Sequence, residues 1–346
     1  MMNRRKKVSM QDIADHLQIS KNAVSIALAG KKGVSREVRE QVLLTAKELG
    51  YGRYGERDKP SLNMLVLVPE RIISFEDNDH FLFFHNLMWT LEKEIRNQGY
   101  NAVIARIDRQ MEEERRLPNL FHDVPFVGVV LFGIVSHSYA GMVAEQGKPF
   151  VMLDSYHRGI RAPAVTSANI EGAYEAVTYL SRCGHRRIGF VGATNLTTSH
   201  EERWVGYWTA MRDAGLAMDA AMCLTESRGF EATEEEIRNY WQSMQAKPTA
   251  VFCSNDRAAI LLMKVLRDMN IRVPEDVSVM GFDDLRMAES MNPGLTTMRV
   301  DIPGMCHAAV ELLRMTLDTE RAMIRWSVPP ELVVRGSVSA KYEEKG

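Results

Sequence analysis

The chain has 346 residues, of which 45% are hydrophobic and 25% are charged, and its net charge is −2. This length is too great for one small domain, and the ordinary composition excludes a disordered or low-complexity chain. No apolar run approaches the roughly 20 residues needed to cross a bilayer, and the basic N-terminus leads into an amphipathic segment instead of a signal-peptide core. We therefore expect a multi-domain protein of the cytoplasm that makes no membrane contact.

Charge is distributed unevenly along the chain. Residues 1–60 hold thirteen Lys or Arg and seven Asp or Glu, although the whole chain is slightly acidic. A basic module attached to an acidic body is typical of proteins that bind nucleic acid. Arg4, Arg5 and Lys6 lie in a basic N-terminal arm. We predict that this arm contacts DNA phosphates, which supplies salt-dependent affinity and no sequence discrimination.

Three short amphipathic helices with a small core of their own are predicted between Val8 and Tyr51. Only Gln18 and Ile19 separate the first two, and Ser20 is a natural N-cap for the second. This is helix-turn-helix spacing. A third helix, opening at Ser35, carries apolar residues at helical spacing and supplies the third wall of the core.

The second of these helices is the predicted recognition helix. If it buries Ala23, Val24 and Leu28, its opposite face meets base edges in the major groove. The predicted DNA-reading residues on that face and at its start are Ser20, Lys21, Asn22, Ser25 and Ile26. The alternative is the solvated face of an ordinary helical bundle. The basic charge of residues 1–60 favours DNA binding.

The remaining sequence predicts an α/β body. We place the headpiece at residues 1–51, a linker at 52–61 and the body at 62–346. Within the body, continuous apolar strands alternate with helices, which is typical of parallel sheets covered on both faces. The strand that begins at Ala164 opens a second series of the same kind, so we predict two similar lobes at about 62–162 and 163–290.

Ligands of open parallel sheets bind beyond the carboxyl ends of the strands. Asn255 and Asp283 directly follow predicted strands, and Arg203 lies near the start of the helix after another. An amide, a carboxylate and a guanidinium that converge in a cleft suit the neighbouring hydroxyls of a sugar. Each residue also has an ordinary alternative, since Asn and Asp after strands often cap helices and Arg203 could be a surface charge.

Enzyme, metal and cofactor motifs are not found. Residues 141–148 resemble a phosphate-binding loop, but the glycine spacing is wrong and Pro149 stands where Ser or Thr is needed. The four cysteines are widely scattered, which favours reduced, mostly buried thiols over a metal site or disulfide framework. We predict no catalytic residue, no metal ligand and no cofactor.

Several stretches together resemble one family. They begin with MQDIADHL, ISKNAVSIAL and GVSREVREQVLLTAKELGY and continue through CGHRRIGFVG, EERWVGYWTAM, VFCSNDRAA, VPEDVSVMGFDDL, PGLTTMRVD and PPELVVRGS. In this order they resemble the lactose-repressor/galactose-repressor (LacI/GalR) family of bacterial transcription regulators. The resemblance implies a body like that of periplasmic binding proteins, with the chain crossing back between lobes after residue 290. It also implies effector contacts at Arg203, Asn255 and Asp283, and adds Phe83 and Asn169 to the predicted site. Further aromatic candidates are Phe84, Trp204, Phe230 and Phe282, although aromatic residues at such positions more often belong to the core.

Three departures from the family pattern affect these expectations. Ile26 replaces a usual Arg, which predicts a different operator sequence. The linker contains Gly52 and Gly55, which weaken a helix, and it lacks the Leu that wedges the minor groove in relatives. We therefore expect no minor-groove wedge. Either Arg53 and Arg57 follow the DNA backbone, or the segment is a flexible linker. Ala168 replaces a usual Asp, so a simple copy of the common sugar site is not expected.

These observations predict an allosteric transcription regulator, a repressor that acts as a homodimer. One helix-turn-helix reads only a half-site, so two are normally paired on double-stranded operator DNA. A small polar effector, most simply a carbohydrate, would bind between the lobes and shift DNA affinity. The alternatives are a solute-binding receptor without DNA function and a sugar-modifying enzyme with a regulatory headpiece.

Overall fold

The structure, a computed structural model, describes residues 8–28, 33–49, 51, 62–73, 81–195, 197–227, 233–318 and 324–341. The chain divides into two compact units, residues 1–62 and 63–346. The predicted arm residues Arg4, Arg5 and Lys6, and the whole predicted linker at 52–61, lie outside the described residues.

The first unit contains three helices where the sequence predicts them: α1 (Met10–Leu17), α2 (Lys21–Leu28) and α3 (Arg36–Glu48). A capping box begins α1, because the Ser9 hydroxyl accepts from the Asp12 N–H and the Asp12 carboxylate accepts from the Ser9 N–H. The Ser35 hydroxyl accepts from the Val38 N–H at 3.2 Å at the start of α3. The fully buried core of this headpiece is small and is formed by Ile13, Ala14, Val24, Ala27, Val42, Ala46 and Tyr51.

The second unit alternates strands and helices. Its first half contains β1 (Asn63–Pro69), α4 (Glu70–Ile73), α5 (Phe81–Asn97), β2 (Asn101–Ile107), α6 (Arg109–Glu114), α7 (Leu120–Asp123), β3 (Gly128–Phe132), α8 (His137–Glu145), β4 (Phe150–Leu153) and β5 (Ala164–Ser167). Its second half contains α9 (Asn169–Arg182), β6 (Ile188–Val191), α10 (Thr198–Asp213), β7 (Cys223–Leu224), α11 (Glu234–Ser243), β8 (Ala250–Cys253), α12 (Asp256–Asp268), β9 (Ser278–Met280), α13 (Arg286–Ser290), β10 (Thr297–Arg299), α14 (Ile302–Asp318), β11 (Arg325–Val328) and β12 (Glu331–Val333).

Two parallel sheets form the centres of two lobes. The first sheet has the strand order β11-β5-β4-β3-β1-β2, and the second has the order β7-β6-β8-β9. Their central strands are buried on both faces, as the continuous apolar runs predict. A two-stranded antiparallel pair, β10 with β12, lies beside the second sheet, where Met280 bridges to Thr296. The expected α/β body with parallel sheets is therefore present.

The predicted start of the second lobe at residue 163 is wrong. β5 pairs in parallel with β4 and with β11, so it belongs to the first sheet. The chain enters the second lobe only after Ser167, returns to the first between β10 and α14, and crosses again between β11 and β12. Periodicity could not show this, because a short parallel strand reads the same in either sheet and β11 is a largely exposed edge strand.

Among the described residues, no helix combines the length and apolar character needed to cross a membrane.

Candidate functional site

The predicted DNA-reading face occupies the start and one side of α2. The Ser20 hydroxyl accepts from the Ala23 N–H at 3.1 Å, so Ser20 caps this helix as its sequence predicts. Because Val24 and Ala27 are buried on the core side, the helical phase places Lys21, Asn22 and Ser25 on the exposed side. These side chains are available to base edges without any change in the headpiece core.

Ile26 differs from the other predicted reading residues. Its side chain is half-buried, and a Cβ added at Gly33 would lie 3.4 Å from Ile26 Cγ2. Gly33 has a φ of +138°, a backbone conformation that an L side chain rarely adopts. Ile26 thus partly covers the turn before α3, and only part of its surface remains for contact with a thymine methyl or a sugar.

A cleft lies between the two lobes, at the carboxyl ends of strands from both sheets. It encloses about 440 Å³ of empty space, part of it open to solvent. The first lobe lines the cleft with Phe83, Phe84, Ile134 and Asp154, and the second lobe lines it with Thr197, Ser199, His200, Arg203, Asn255 and Asp283. Four of the five predicted effector-binding residues are therefore brought together in one place.

Arg203 is held by four partners of different kinds. Its Nε donates to Asn169 Oδ1 at 2.9 Å, and its Nη1 donates to the Ser254 carbonyl at 2.6 Å. Its Nη2 lies 3.1 Å from Asp283 Oδ1, and both side chains of this ion pair are buried. The guanidinium carbon lies 3.8 Å from the centre of the Phe282 ring. This arrangement fixes the plane of the guanidinium before any ligand arrives.

Asn255 both caps a helix and faces the cleft. Its Oδ1 accepts from the Ala258 N–H at 2.8 Å at the start of α12. Its Nδ2 lies 3.2 Å from His200 Nε2, and His200 Nδ1 lies 3.3 Å from the Ala193 carbonyl. An amide nitrogen donates and a carbonyl accepts, so these contacts select the neutral His200 tautomer with its proton on Nδ1. The side chain is thereby fixed in position, and the cap role is combined with the predicted binding role.

Two carboxylates of the cleft have unusual backbone conformations. Asp154 has a φ of +66° and Asp283 has a φ of +116°. Such values are uncommon for residues with side chains and cluster at functional sites. Burial raises the pKa of Asp154 to about 7, with Asp283 raising it further and Arg203 lowering it. The cleft therefore contains a carboxyl group that exchanges its proton near neutral pH.

Asn169 lies behind the cleft, where it supports Arg203. Its Nδ2 donates to Glu202 Oε2 at 3.0 Å, while its Oδ1 accepts from Arg203. The other Glu202 oxygen accepts from the Tyr156 hydroxyl of the first lobe at 2.7 Å. Asn169 is only 2% exposed and does not line the cleft. Its predicted contact with an effector is replaced in this structure by a contact with the arginine.

The aromatic candidates separate into two groups. Phe83 and Phe84 line the cleft and pack edge to face, with ring centres 5.3 Å apart. Trp204 instead packs on Phe190 and stacks on Tyr207 in the interior of the second lobe. Phe282 is completely buried beneath Arg203, and Phe230 lies outside the described residues.

Sequence reasoning missed four polar residues of the cleft: Asp154, Thr197, Ser199 and His200. Asp154 could have been found, because it follows β4 just as Asn255 follows β8. The other three lie at the start of α10, where the Thr197 hydroxyl accepts from the His200 N–H at 3.1 Å.

The cysteines are free thiols, as predicted, and Cys253 and Cys306 are buried. Within the described parts of the chain, no group of three or more His, Cys, Asp or Glu side chains is placed to hold a metal ion.

Comparison with known proteins places this architecture among transcription regulators. A sequence model of the periplasmic binding protein-like domain matches residues 177–338. The HTH-type transcriptional repressor CytR of Escherichia coli (strain K12) is 29% identical over 297 residues, which cover 84% of each chain. The HTH-type transcriptional regulator MalR of Streptomyces coelicolor is 28% identical over 345 residues, which cover 97% of this chain and 98% of that one.

The crystal structure of the lac repressor dimer bound to operator and the anti-inducer ONPF has the same fold. The TM-score is 0.70 at 20% identity, and the match covers 97% of this chain and 100% of that one. The predicted resemblance to LacI/GalR-type regulators is thus confirmed, and the likeness to MalR extends over the headpiece and the body together.

Ala168, where the sequence departs from the LacI/GalR pattern, lies at a crossing between the lobes. Ala168 is buried where the chain first passes from one lobe to the other, and its N–H donates to the Val328 carbonyl at 2.8 Å. A carboxylate is missing from this crossing point. The carboxyl groups that line the cleft are those of Asp154 and Asp283.

Proposed function

We propose that this chain is a sequence-specific DNA-binding transcription repressor that acts as a homodimer in the cytoplasm and is switched by a sugar. The observation that carries the proposal is the pre-positioned Arg203, held in a cleft between two lobes of a chain that also has a three-helix headpiece. The exposed face of α2 would read the operator, and the arm at Arg4, Arg5 and Lys6 would contact phosphates.

The effector half of the proposal rests on the chemistry of the cleft. Arg203, Asn255 and Asp283 present fixed donors and acceptors, and Phe83 presents an apolar face. A sugar ring has hydroxyl groups that both donate and accept, and it has apolar C–H faces. Because the cleft is lined from both lobes, a bound sugar favours one lobe closure over another and thereby shifts the affinity for DNA.

The homodimer is supported by an exposed apolar face of α5. Leu82 and Trp89 are 45% and 52% exposed, lie seven positions apart on one side of the helix, and flank His85. A second copy would remove this face from water. Two headpieces would then read two half-sites, which one short recognition helix cannot do alone.

The alternative of a solute-binding receptor without DNA function is not favoured. The relatives that match 84% and 97% of this chain are named transcriptional repressor and regulator. For the same reason we propose no catalytic activity for the cleft.

Selection of binding sites from a random DNA library, with the full chain at one fixed salt concentration, tests the proposal. We expect palindromic sites, and we expect a sugar from a screened panel to lower the affinity for them. The variant Arg203→Lys keeps the charge beside Asp283 but loses the planar guanidinium, so it should lose the sugar response and keep DNA binding.

The matched control is Arg238→Lys. Arg238 lies on α11, pairs with Glu234 and Asp268, and does not line the cleft. This variant should respond to sugar like the parent chain. Loss of DNA binding in folded Arg203→Lys would contradict the site assignment. Failure to select any common DNA sequence would contradict the repressor function itself.

A further inference from the structure

A second cavity adjoins the cleft and is larger than it. It encloses about 800 Å³ of empty space, part of it open to solvent, and we call it the outer chamber. Ile134 and Thr197 line both spaces, so the outer chamber begins where the cleft ends. One ligand can therefore extend from the cleft into the outer chamber.

The walls of the outer chamber are rich in uncharged hydrogen-bonding groups. Ser155 and Tyr156 come from the loop after β4, and Thr194, Asn195 and Thr198 come from the segment that leads into α10. The hydroxyls of Ser155, Tyr156 and Thr194 donate to the Gly133 carbonyl, Glu202 and the Thr225 carbonyl, so towards a ligand they act as acceptors. The Asn195 amide carries both a donor and an acceptor. This mixture suits a partner that also carries many hydroxyls. Val135 adds an apolar patch against which C–H groups can pack.

No lysine or arginine lines the outer chamber within the described part of the chain. Burial lowers the pKa of His157, so its ring is neutral at pH 7. Among the described residues of the wall, Glu201 is the only carboxylate, and it is paired with Arg158 at 3.0 Å. In the cleft, Asp154 and Asp283 face the single guanidinium of Arg203. A phosphate group would lose its hydration in either space without gaining a free cation.

We propose that the effector is a neutral saccharide of at least two linked units, with one unit in the cleft and the next in the outer chamber. This inference rests on the proposed function, and it adds that a single sugar or a sugar phosphate fills the site incompletely. Thr198, in the first turn of α10, is placed to distinguish long ligands from short ones because it lines the outer chamber and not the cleft.

Isothermal titration of the full chain tests this inference with four sets of probes: monosaccharides, disaccharides built from them, glucose 6-phosphate, and the nucleosides cytidine and adenosine. We expect at least one disaccharide to bind ten-fold or more tightly than either of its component sugars. Equal or tighter binding of a monosaccharide, a sugar phosphate or a nucleoside would overturn the inference.

The variant Thr198→Trp fills the outer chamber. It should reduce the affinity for the disaccharide at least ten-fold, to the level of its cleft-bound component sugar. Thr209→Trp is the matched control, because it makes the same change eleven positions later on α10, away from both spaces. If Thr198→Trp does not fold, as judged by circular dichroism, Thr198→Val removes the hydroxyl alone and should weaken disaccharide binding two- to ten-fold. Unchanged disaccharide affinity in a folded Thr198 variant would refute the proposal.

The outcomes separate this inference from the proposed function. A monosaccharide that releases operator DNA as well as any disaccharide leaves the proposed function intact and overturns the outer chamber as a subsite. If no saccharide of any length alters DNA binding, the sugar-switch part of the proposed function fails and the inference fails with it.

Discussion

The headpiece and the cleft position their functional side chains in opposite ways. Lys21, Asn22 and Ser25 lie exposed on a helix whose phase is set by neighbours within the same short segment. Arg203 is buried, and two of its partners, Asn169 and Ser254, lie 34 and 51 positions away in the chain. The first arrangement is local, and the second requires the complete fold of the second lobe.

This difference predicts how function and stability are coupled. A reading residue that is exposed on α2 can change with little effect on the free energy of unfolding. A buried, ion-paired cleft residue cannot change with so little effect on that free energy, because its loss leaves the charge of its partner buried without the opposite charge. We therefore expect cleft residues to tolerate substitution only together with their partners, whereas residues of the reading face tolerate single substitutions.

The largest effect should follow from breaking the buried ion pair. Arg203→Ala leaves the Asp283 carboxylate buried beside an empty space, so we expect a loss of about 3–5 kcal/mol in the free energy of unfolding. The double variant Arg203→Ala with Asp283→Asn also removes the buried carboxylate charge and should recover part of that loss. Urea unfolding of the full chain, followed by fluorescence, measures both because Trp204 and Trp241 report on the second lobe.

Arg238→Ala is the control for these two variants. Arg238 forms its ion pairs at a partly exposed position on α11, so its loss should cost no more than about 1 kcal/mol. If Arg203→Ala lost as little unfolding free energy as Arg238→Ala, the predicted dependence of the cleft on its buried ion pair would be contradicted.

A pH-dependent effect should follow from Asp154. Burial raises its pKa in the folded chain to about 7, whereas an Asp in an unfolded chain has a pKa near 3.9. The stability that this group contributes is thus fully present below about pH 4 and is lost as the pH rises towards 7. Asp154→Asn cannot titrate, and Asn tolerates the positive φ.

We expect the stability of the parent chain, relative to Asp154→Asn, to fall by about 3 kcal/mol between pH 4.5 and pH 7.5. Denaturation of both proteins in matched buffers measures this difference, and taking the difference cancels the titration of all other groups. Parallel pH profiles for the two proteins would show that Asp154 is ionised like an exposed carboxylate.

The smallest effects on stability belong to the headpiece, where two serines form a matched pair. Ser35→Ala removes the N-cap of α3 and should cost about 1 kcal/mol. Ser25→Ala lies on the exposed side of α2 and should change stability by less than about 0.5 kcal/mol, yet it should alter the DNA sequence that is selected.

Hydrogen exchange of the α1–α3 amides in the full chain measures the two stabilities, and site selection from a random DNA library measures the preference. A change in selected sequence for Ser35→Ala and not for Ser25→Ala would reverse the predicted roles.

The amino-acid sequence by itself determined every feature whose causes are local. The caps at Ser20 and Ser35 and the apolar spacing of the headpiece helices were predictable because they depend on residues three or four positions apart. The parallel sheets were predictable from buried strands, and Arg203, Asn255 and Asp283 were predictable as residues at strand ends or helix starts.

Only the tertiary structure decided what depends on distant residues. It assigned β5 to the first sheet through pairing with β11, some 160 positions later. It placed Asn169 behind Arg203, where Asn169 donates to Glu202, which also accepts from the first-lobe Tyr156. It also formed the outer chamber, between the loop after β4 and the segment that leads into α10. Hydrophobic periodicity shows which face of an element is buried, but it does not show which other element covers that face.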